Sequence, residues 1–191
     1  RLMYTRHMKE LKLTGNYLKK KKKKSEFEQL AYKNIGSFFS EAEKAVQLLA
    51  ESQFQERLSY AKKTGELCHG SYNYHNIIFS NGNTAVTNFD KYKNECQISD
   101  LYQFMRKILE KYDWDIQTAY KMMEEYDKIK PVSDTERALL AALFAFPEKF
   151  WKVMNYYFNS NKAWIPPKTK EKLEKVVQQN EKRQKFLETL L

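Results

Sequence analysis

The sequence predicts a mainly α-helical protein, α+β overall, in which one short β-hairpin sits amid many helices. Three observations carry that expectation. Apolar residues recur at helical spacing through most of the 191 residues, a single Asn-Gly pair lies between two β-branched segments, and no internal repeat is visible. With 42% hydrophobic and 15% aromatic residues, the chain can bury one respectable core, so residues 1–191 are expected to form one domain.

The elements follow in order. Residues 1–13 read as a short helix, broken around Thr14-Gly15-Asn16 and by the lysine run that follows. Ser25, with Glu28 three positions on, reads as an N-cap for a long amphipathic helix through Phe27, Leu30, Ile35, Phe38, Phe39, Ala42, Ala45, Val46 and Leu49. A further helix from Phe54 to Lys63 ends at Gly65, a suitable C-cap. The pattern then changes: Asn76 to Ser80 and Thr84 to Asn88 are short β-branched segments flanking Asn81-Gly82-Asn83, and Asn-Gly tolerates the positive φ angles of a tight hairpin. Helices return from Ile98 to about Lys111, from Trp114 to Lys128, and from Ser133 through Ala145. Pro147 opens another with Phe150, Trp151, Met154 and Tyr157, and Pro166-Pro167 introduces a charged terminal helix to Leu191. Phe144, Phe146, Phe150, Trp151, Tyr156, Tyr157, Phe158 and Trp164 are open to reading as a ligand box, but aromatics at helical spacing bury large apolar areas and are expected in the core.

Charge and cysteine content narrow the function classes. Six of the ten net positive charges form one run, Lys19, Lys20, Lys21, Lys22, Lys23 and Lys24, which leaves +4 for the remainder. A block of like charges repels itself and is expected to form a solvated basic loop. It also suits an anionic surface, whereas nucleic acid is disfavoured because no aromatics interleave the lysines for base stacking. Cys68 and Cys96 have neither zinc-site spacing nor the density of a disulfide framework, so both are expected to be reduced. No apolar run approaches the roughly 20 residues of a membrane span, and Arg1-Leu2-Met3-Tyr4 lacks the apolar stretch of a secretion signal.

The segment Cys68-His69-Gly70-Ser71-Tyr72-Asn73-Tyr74-His75-Asn76, followed by Asn88-Phe89-Asp90, carries the chemistry. Kinase-type phosphoryl transfer uses a loop reading His-x-Asp-x-x-x-x-Asn, in which the Asp accepts the substrate proton and the Asn holds magnesium, with a second metal-holding Asp further on. His69, Asn76 and Asp90 stand in those places here, but the proton-accepting position is Ser71. The hairpin joins the loop to Asp90 and is expected to set Asn76 and Asp90 side by side. Singly, Asn76 reads as a hairpin cap and Asp90 as a surface partner of Lys91 or Lys93. Together with His69, in this order and spacing, they read as the remains of a metal site. His75 is an alternative base, since imidazole titrates near neutrality.

His69-Gly70-Ser71 with Asn76, Asn88-Phe89-Asp90 and Asp100-Leu101-Tyr102 resembles the aminoglycoside-phosphotransferase-like branch of kinases. Within it, the chain is most similar to the CotS family of spore coat proteins, through Asp100 to Lys107, Phe146 to Lys152 and Asn159 to Trp164 as well as the loop. The resemblance implies the C-terminal lobe of a protein-kinase-like fold, the spore coat as location, and other coat proteins as partners. It also implies catalytic places at Ser71, His69 and Asn76, magnesium and nucleotide binding through Asn76 and Asp90, and support of the loop by Asp100. ATP and magnesium are thus the cofactors expected of a full-length protein. The 68 residues before His69 contain neither a Gly-rich phosphate loop nor a strand-borne Lys, so the chain is expected to be the C-terminal part of something longer.

Two functions follow. One is a coat scaffold on a degenerate kinase-like fold. The other is an ATP-dependent phosphotransferase with Ser71 where the base belongs, deprived of general-base help worth about 10² to 10⁴ in rate.

Overall fold

The structure, a computed structural model, describes residues 2–160 and 166–191. Trp164, expected in the aromatic core, and part of the Asn159 to Trp164 stretch lie outside them. Helix α1 (Leu2–Lys20) is followed by α2 (Glu26–Glu51) and α3 (Phe54–Thr64). Four short strands come next: β1 (Leu67–Cys68), β2 (Ile77–Ser80), β3 (Asn83–Val86) and β4 (Lys93–Asn94). Among the described residues five helices complete the order: α4 (Ile98–Lys111), α5 (Ile116–Ile129), α6 (Asp134–Ala145), α7 (Glu148–Phe158) and α8 (Lys168–Glu188).

The core is a helix-on-helix packing centred on α2, which lies against α1, α6 and α8. Its capping box forms as the sequence predicts, with Ser25 Oγ accepting from Glu28 N and Glu28 returning a bond to Ser25 N. A second capping box, Ser133 with Glu136, starts α6. Phe144, Phe146 and Phe150 are buried and Trp151, Tyr157 and Phe158 pack against the core partly buried, whereas Tyr156 is exposed, so the described members of the aromatic group serve the core with that one exception. Gly65 closes α3 at φ 75°, a left-handed angle that only glycine adopts cheaply.

Two expectations are corrected. Helix α1 is not broken at Thr14-Gly15-Asn16 but runs on to Lys20. Tyr4, His7, Leu11 and Leu18 are buried along one face of it, so tertiary burial outweighs the cost of a mid-helix glycine, about 1 kcal/mol. A Cβ at Gly15 would meet Ile35 at 3.7 Å, an ordinary van der Waals contact, so the approach of α1 to α2 does not depend on the glycine. The lysine run is consequently not one loop. Lys19 and Lys20 end α1, while Lys21 pairs with Glu28 at 2.6 Å and Lys24 lies over the Tyr32 ring at 4.8 Å.

The hairpin is present and tighter than expected. Strands β2 and β3 pair antiparallel from Ile77↔Val86 to Ser80↔Asn83, which places Asn83 in the strand and leaves only Asn81-Gly82 as the turn. Their φ angles of 48° and 77° are both positive, as a type I′ turn requires. A second ladder, β1 with β4, was not legible from periodicity because each strand has two residues. It closes the segment that carries the loop. No helix among the described residues is long and apolar enough to cross a membrane.

Candidate functional site

The loop from His69 to Asn76 leaves the end of β1 and is held from three sides. Asp100, in the first turn of α4, accepts from His69 N at 2.6 Å and from Gly70 N at 3.0 Å. Both carboxylate oxygens accept from the loop backbone, the place at which the family resemblance expects Asp100 to support the loop. The His69 ring is buried and ties the loop to the far end of the hairpin: its Nδ1 accepts from Ser71 N at 3.1 Å and its Nε2 lies 2.8 Å from Thr87 O. An accepting Nδ1 and a carbonyl partner at Nε2 together define the neutral tautomer with its proton on Nε2. Gly70 has φ 75°, and a Cβ there would lie 2.0 Å from the Lys91 carbonyl oxygen, so no other residue fits.

The far half of the loop is an amide network. Asn76 is buried and donates from Nδ2 to Ser71 O at 2.8 Å, while Asn73 Nδ2 donates to the same carbonyl at 2.8 Å. A carbonyl only accepts, so the Asn76 amide has one orientation, with Oδ1 turned the other way. There it accepts from Asn88 Nδ2 at 2.8 Å. The hairpin register explains the meeting: Ile77 pairs with Val86, Thr87 N donates to Asn76 O at 3.0 Å, and Asn88 is the next residue. Asn88 takes φ 63° and ψ 55°, a left-handed conformation that asparagine tolerates better than most residues.

The hairpin therefore delivers Asn88 to the Asn76 side chain. Asp90 lies two residues further, exposed on the 3-10 turn Phe89–Lys91. His75 is exposed beside Tyr74 on the 3-10 turn Tyr74–Asn76. Sequence reasoning passed over Asn88, although a signal was there: in Asp-Phe-Gly the metal-holding residue immediately precedes the Phe, and here Asn88 precedes Phe89. Cys68 and Cys96 are free and buried, with burial first among the causes that push the Cys68 thiol up to about 12 and raise Cys96, so neither supplies a thiolate near neutral pH. Among the described residues, no three His, Cys, Asp or Glu side chains gather as a metal site.

A helical lobe with one short hairpin, and a His-Gly loop braced by an Asp on the following helix, define a kinase-like phosphotransferase fold. The comparison with solved structures agrees: the crystal structure of an aminoglycoside phosphotransferase from Alicyclobacillus acidocaldarius subsp. acidocaldarius DSM 446 matches with a TM-score of 0.90 at 20% identity, over 98% of this chain and 56% of that one. The chain belongs to the family described as "Spore coat putative kinase YutH", whose model matches residues 2–190. It is also 20% identical over 166 residues to spore coat protein S of Bacillus subtilis (strain 168), covering 86% of this chain and 47% of the relative. It thus spans about half the length of the proteins it matches.

Proposed function

We propose that this chain is the helical lobe of a spore coat protein that uses a degenerate kinase-like fold as an interaction scaffold, with phosphotransfer weak or lost. The observation that carries the reading is the closed pair Asn76–Asn88 next to Ser71. Magnesium in phosphoryl-transfer sites is held through one or two carboxylates together with substrate phosphates. Here the meeting point of loop and hairpin offers two neutral amides, and the Asn76 oxygen that would face a metal already accepts a hydrogen bond from Asn88. This donor pair does not fit a magnesium ion. Ser71 adds a second loss, because a hydroxyl does not take a proton at neutral pH as a carboxylate does.

Membership of a spore coat family supports the coat as location and other coat proteins as partners. The exposed Lys19, Lys20, Lys22 and Lys23 support a salt-sensitive contact with an anionic surface, for which Lys→Gln replacement is the test. A second reading, an ATP- and magnesium-dependent phosphotransferase, is favoured by one observation: Asp90 keeps an exposed carboxylate two residues from Asn88. The two readings separate in a phosphotransfer assay on the full-length protein with magnesium and ATP. The scaffold reading expects no turnover, and little gain from Ser71→Asp. Measurable turnover that Asp90→Ala abolishes would establish the enzyme reading in its place.

A further inference from the structure

Charge is spread unevenly along the chain. The first 24 residues hold ten Lys or Arg and a single acid, Glu10, so they carry nine of the ten net positive charges. Helix α1 and the turn after it therefore dominate the field of the molecule.

The structure turns this charge outward. Arg6, Lys9, Leu13, Tyr17 and Lys20 follow one another on α1 at steps of three and four residues, and all five are exposed. They form one ridge about 21 Å long, opposite the buried Tyr4, Leu11 and Leu18. Lys12 and Lys19 on α1, and Lys22 and Lys23 in the turn after it, are also exposed and have no ion-pair partner among the described residues. The acids of α1 and of the first turn of α2 are already engaged. Glu10 accepts from Trp151 Nε1 at 2.8 Å and lies 3.6 Å from Arg6, Glu26 pairs with Lys170 at 2.5 Å, and the buried Glu28 pairs with Lys21 at 2.6 Å. Setting all three against the ten basic residues still leaves seven positive charges.

Shape and composition name the counterpart. A ridge is convex and does not enclose a peptide, whereas a flat anionic surface meets its whole length. Leu13, near the middle and 68% exposed, and Tyr17, half exposed, gain little from a phosphate chain in water. The boundary between lipid headgroups and acyl chains takes up both, while Lys and Arg beside them reach the headgroups.

We infer that α1 lies along the surface of an anionic lipid bilayer, with its basic side chains and the turn lysines on the headgroups and Leu13 and Tyr17 dipping into the boundary. The inference rests on the anionic-surface contact proposed above and names that surface. It requires no membrane-crossing helix.

The test is co-sedimentation of the full-length protein with vesicles of phosphatidylcholine alone and of phosphatidylcholine with phosphatidylglycerol at about 7:3. Binding is expected only with the anionic lipid, and should fall by about tenfold or more between about 0.1 M and about 0.5 M sodium chloride. Lys19→Gln, Lys20→Gln, Lys22→Gln and Lys23→Gln together should weaken it by about a hundredfold or more. Leu13→Ser, at a water-facing side chain, should weaken it by about fivefold to tenfold with the melting temperature unchanged. Lys62→Gln with Lys63→Gln, at exposed positions on α3, should leave it as it is. Equal binding to both kinds of vesicle, or affinity unchanged in the four-lysine variant or in Leu13→Ser, would overturn the proposal. So would binding to soluble poly-glutamate with none to vesicles, which would assign the ridge to an acidic protein and leave the salt-sensitive contact standing. Binding to neither overturns that contact as well.

Discussion

Asp100 concentrates the stability of the loop in one carboxylate. Replacing it with Asn removes one acceptor oxygen and the charge, leaving the His69 or Gly70 amide poorly satisfied. The expected loss is about 1.5–3 kcal/mol, the worth of a hydrogen bond to a charged group, read from urea unfolding. Gly70→Ala should cost at least about 1–3 kcal/mol, because the new Cβ collides with backbone at a left-handed φ; unchanged stability would mean that the loop is held differently. His7 gives a pH signature. It is buried against Trp151, with ring centroids 3.4 Å apart, and its Nδ1 has no hydrogen-bond partner among the described residues. Burial pushes its pKa below the ordinary histidine value, Glu10 opposing and Arg6 assisting. A depressed folded pKa means that the unfolded chain takes the proton first, so this stability is complete above about pH 6.5 and is lost as pH falls towards the folded value. The melting temperature should therefore drop between about pH 7.5 and about pH 5.5, and His7→Gln should flatten that slope. A second loss belongs below the ordinary carboxylate range. Burial would raise Glu148, but Arg106 and Lys152 outweigh it and hold its pKa down, so acid removes that contribution.

At the scale of elements, the two capping boxes differ in what leans on them. Ser25 and Ser133 each satisfy one backbone amide, and either change to Ala should cost about 1 kcal/mol. Glu136, itself buried, also receives Arg57 at 2.8 Å, which in turn bridges to Glu66 at 2.8 Å, so Glu136→Ala strips a partly buried cation of one of its two partners. That loss should approach about 3 kcal/mol, clearly more than Ser133→Ala in the same denaturant titration. The same elements show what a sequence reveals. Ser25 with Glu28, Ser133 as a helix start, Gly65 and Asn81-Gly82 were legible because each solves a local problem: an unsatisfied amide or a positive φ. The continuation of α1 through Gly15 and the β1–β4 ladder were not, because both depend on residues distant along the chain: the core that buries Tyr4, His7, Leu11 and Leu18 for the first, and the paired strand for the second.

Across the whole molecule, the fold was legible from the order of helices, loop and hairpin, and the site only in part. His69, Gly70, Ser71, Asn76 and Asp100 could be named from the motif, whereas the seat of Asn88 depended on the hairpin register. Sequence spacing pointed instead to Asp90, the nearest acid. Two groups are therefore altered and not one, since a serine stands at the proton-accepting place and an amide before Phe89. The chain covers about half the length of its relatives, so the decisive experiment belongs to the full-length protein. That experiment is its melting temperature with and without magnesium and ATP, because a ligand that binds only the folded state must raise it. With a degenerate site, no shift is expected at millimolar nucleotide. A rise of several degrees that requires magnesium and disappears in Asp90→Ala would contradict it.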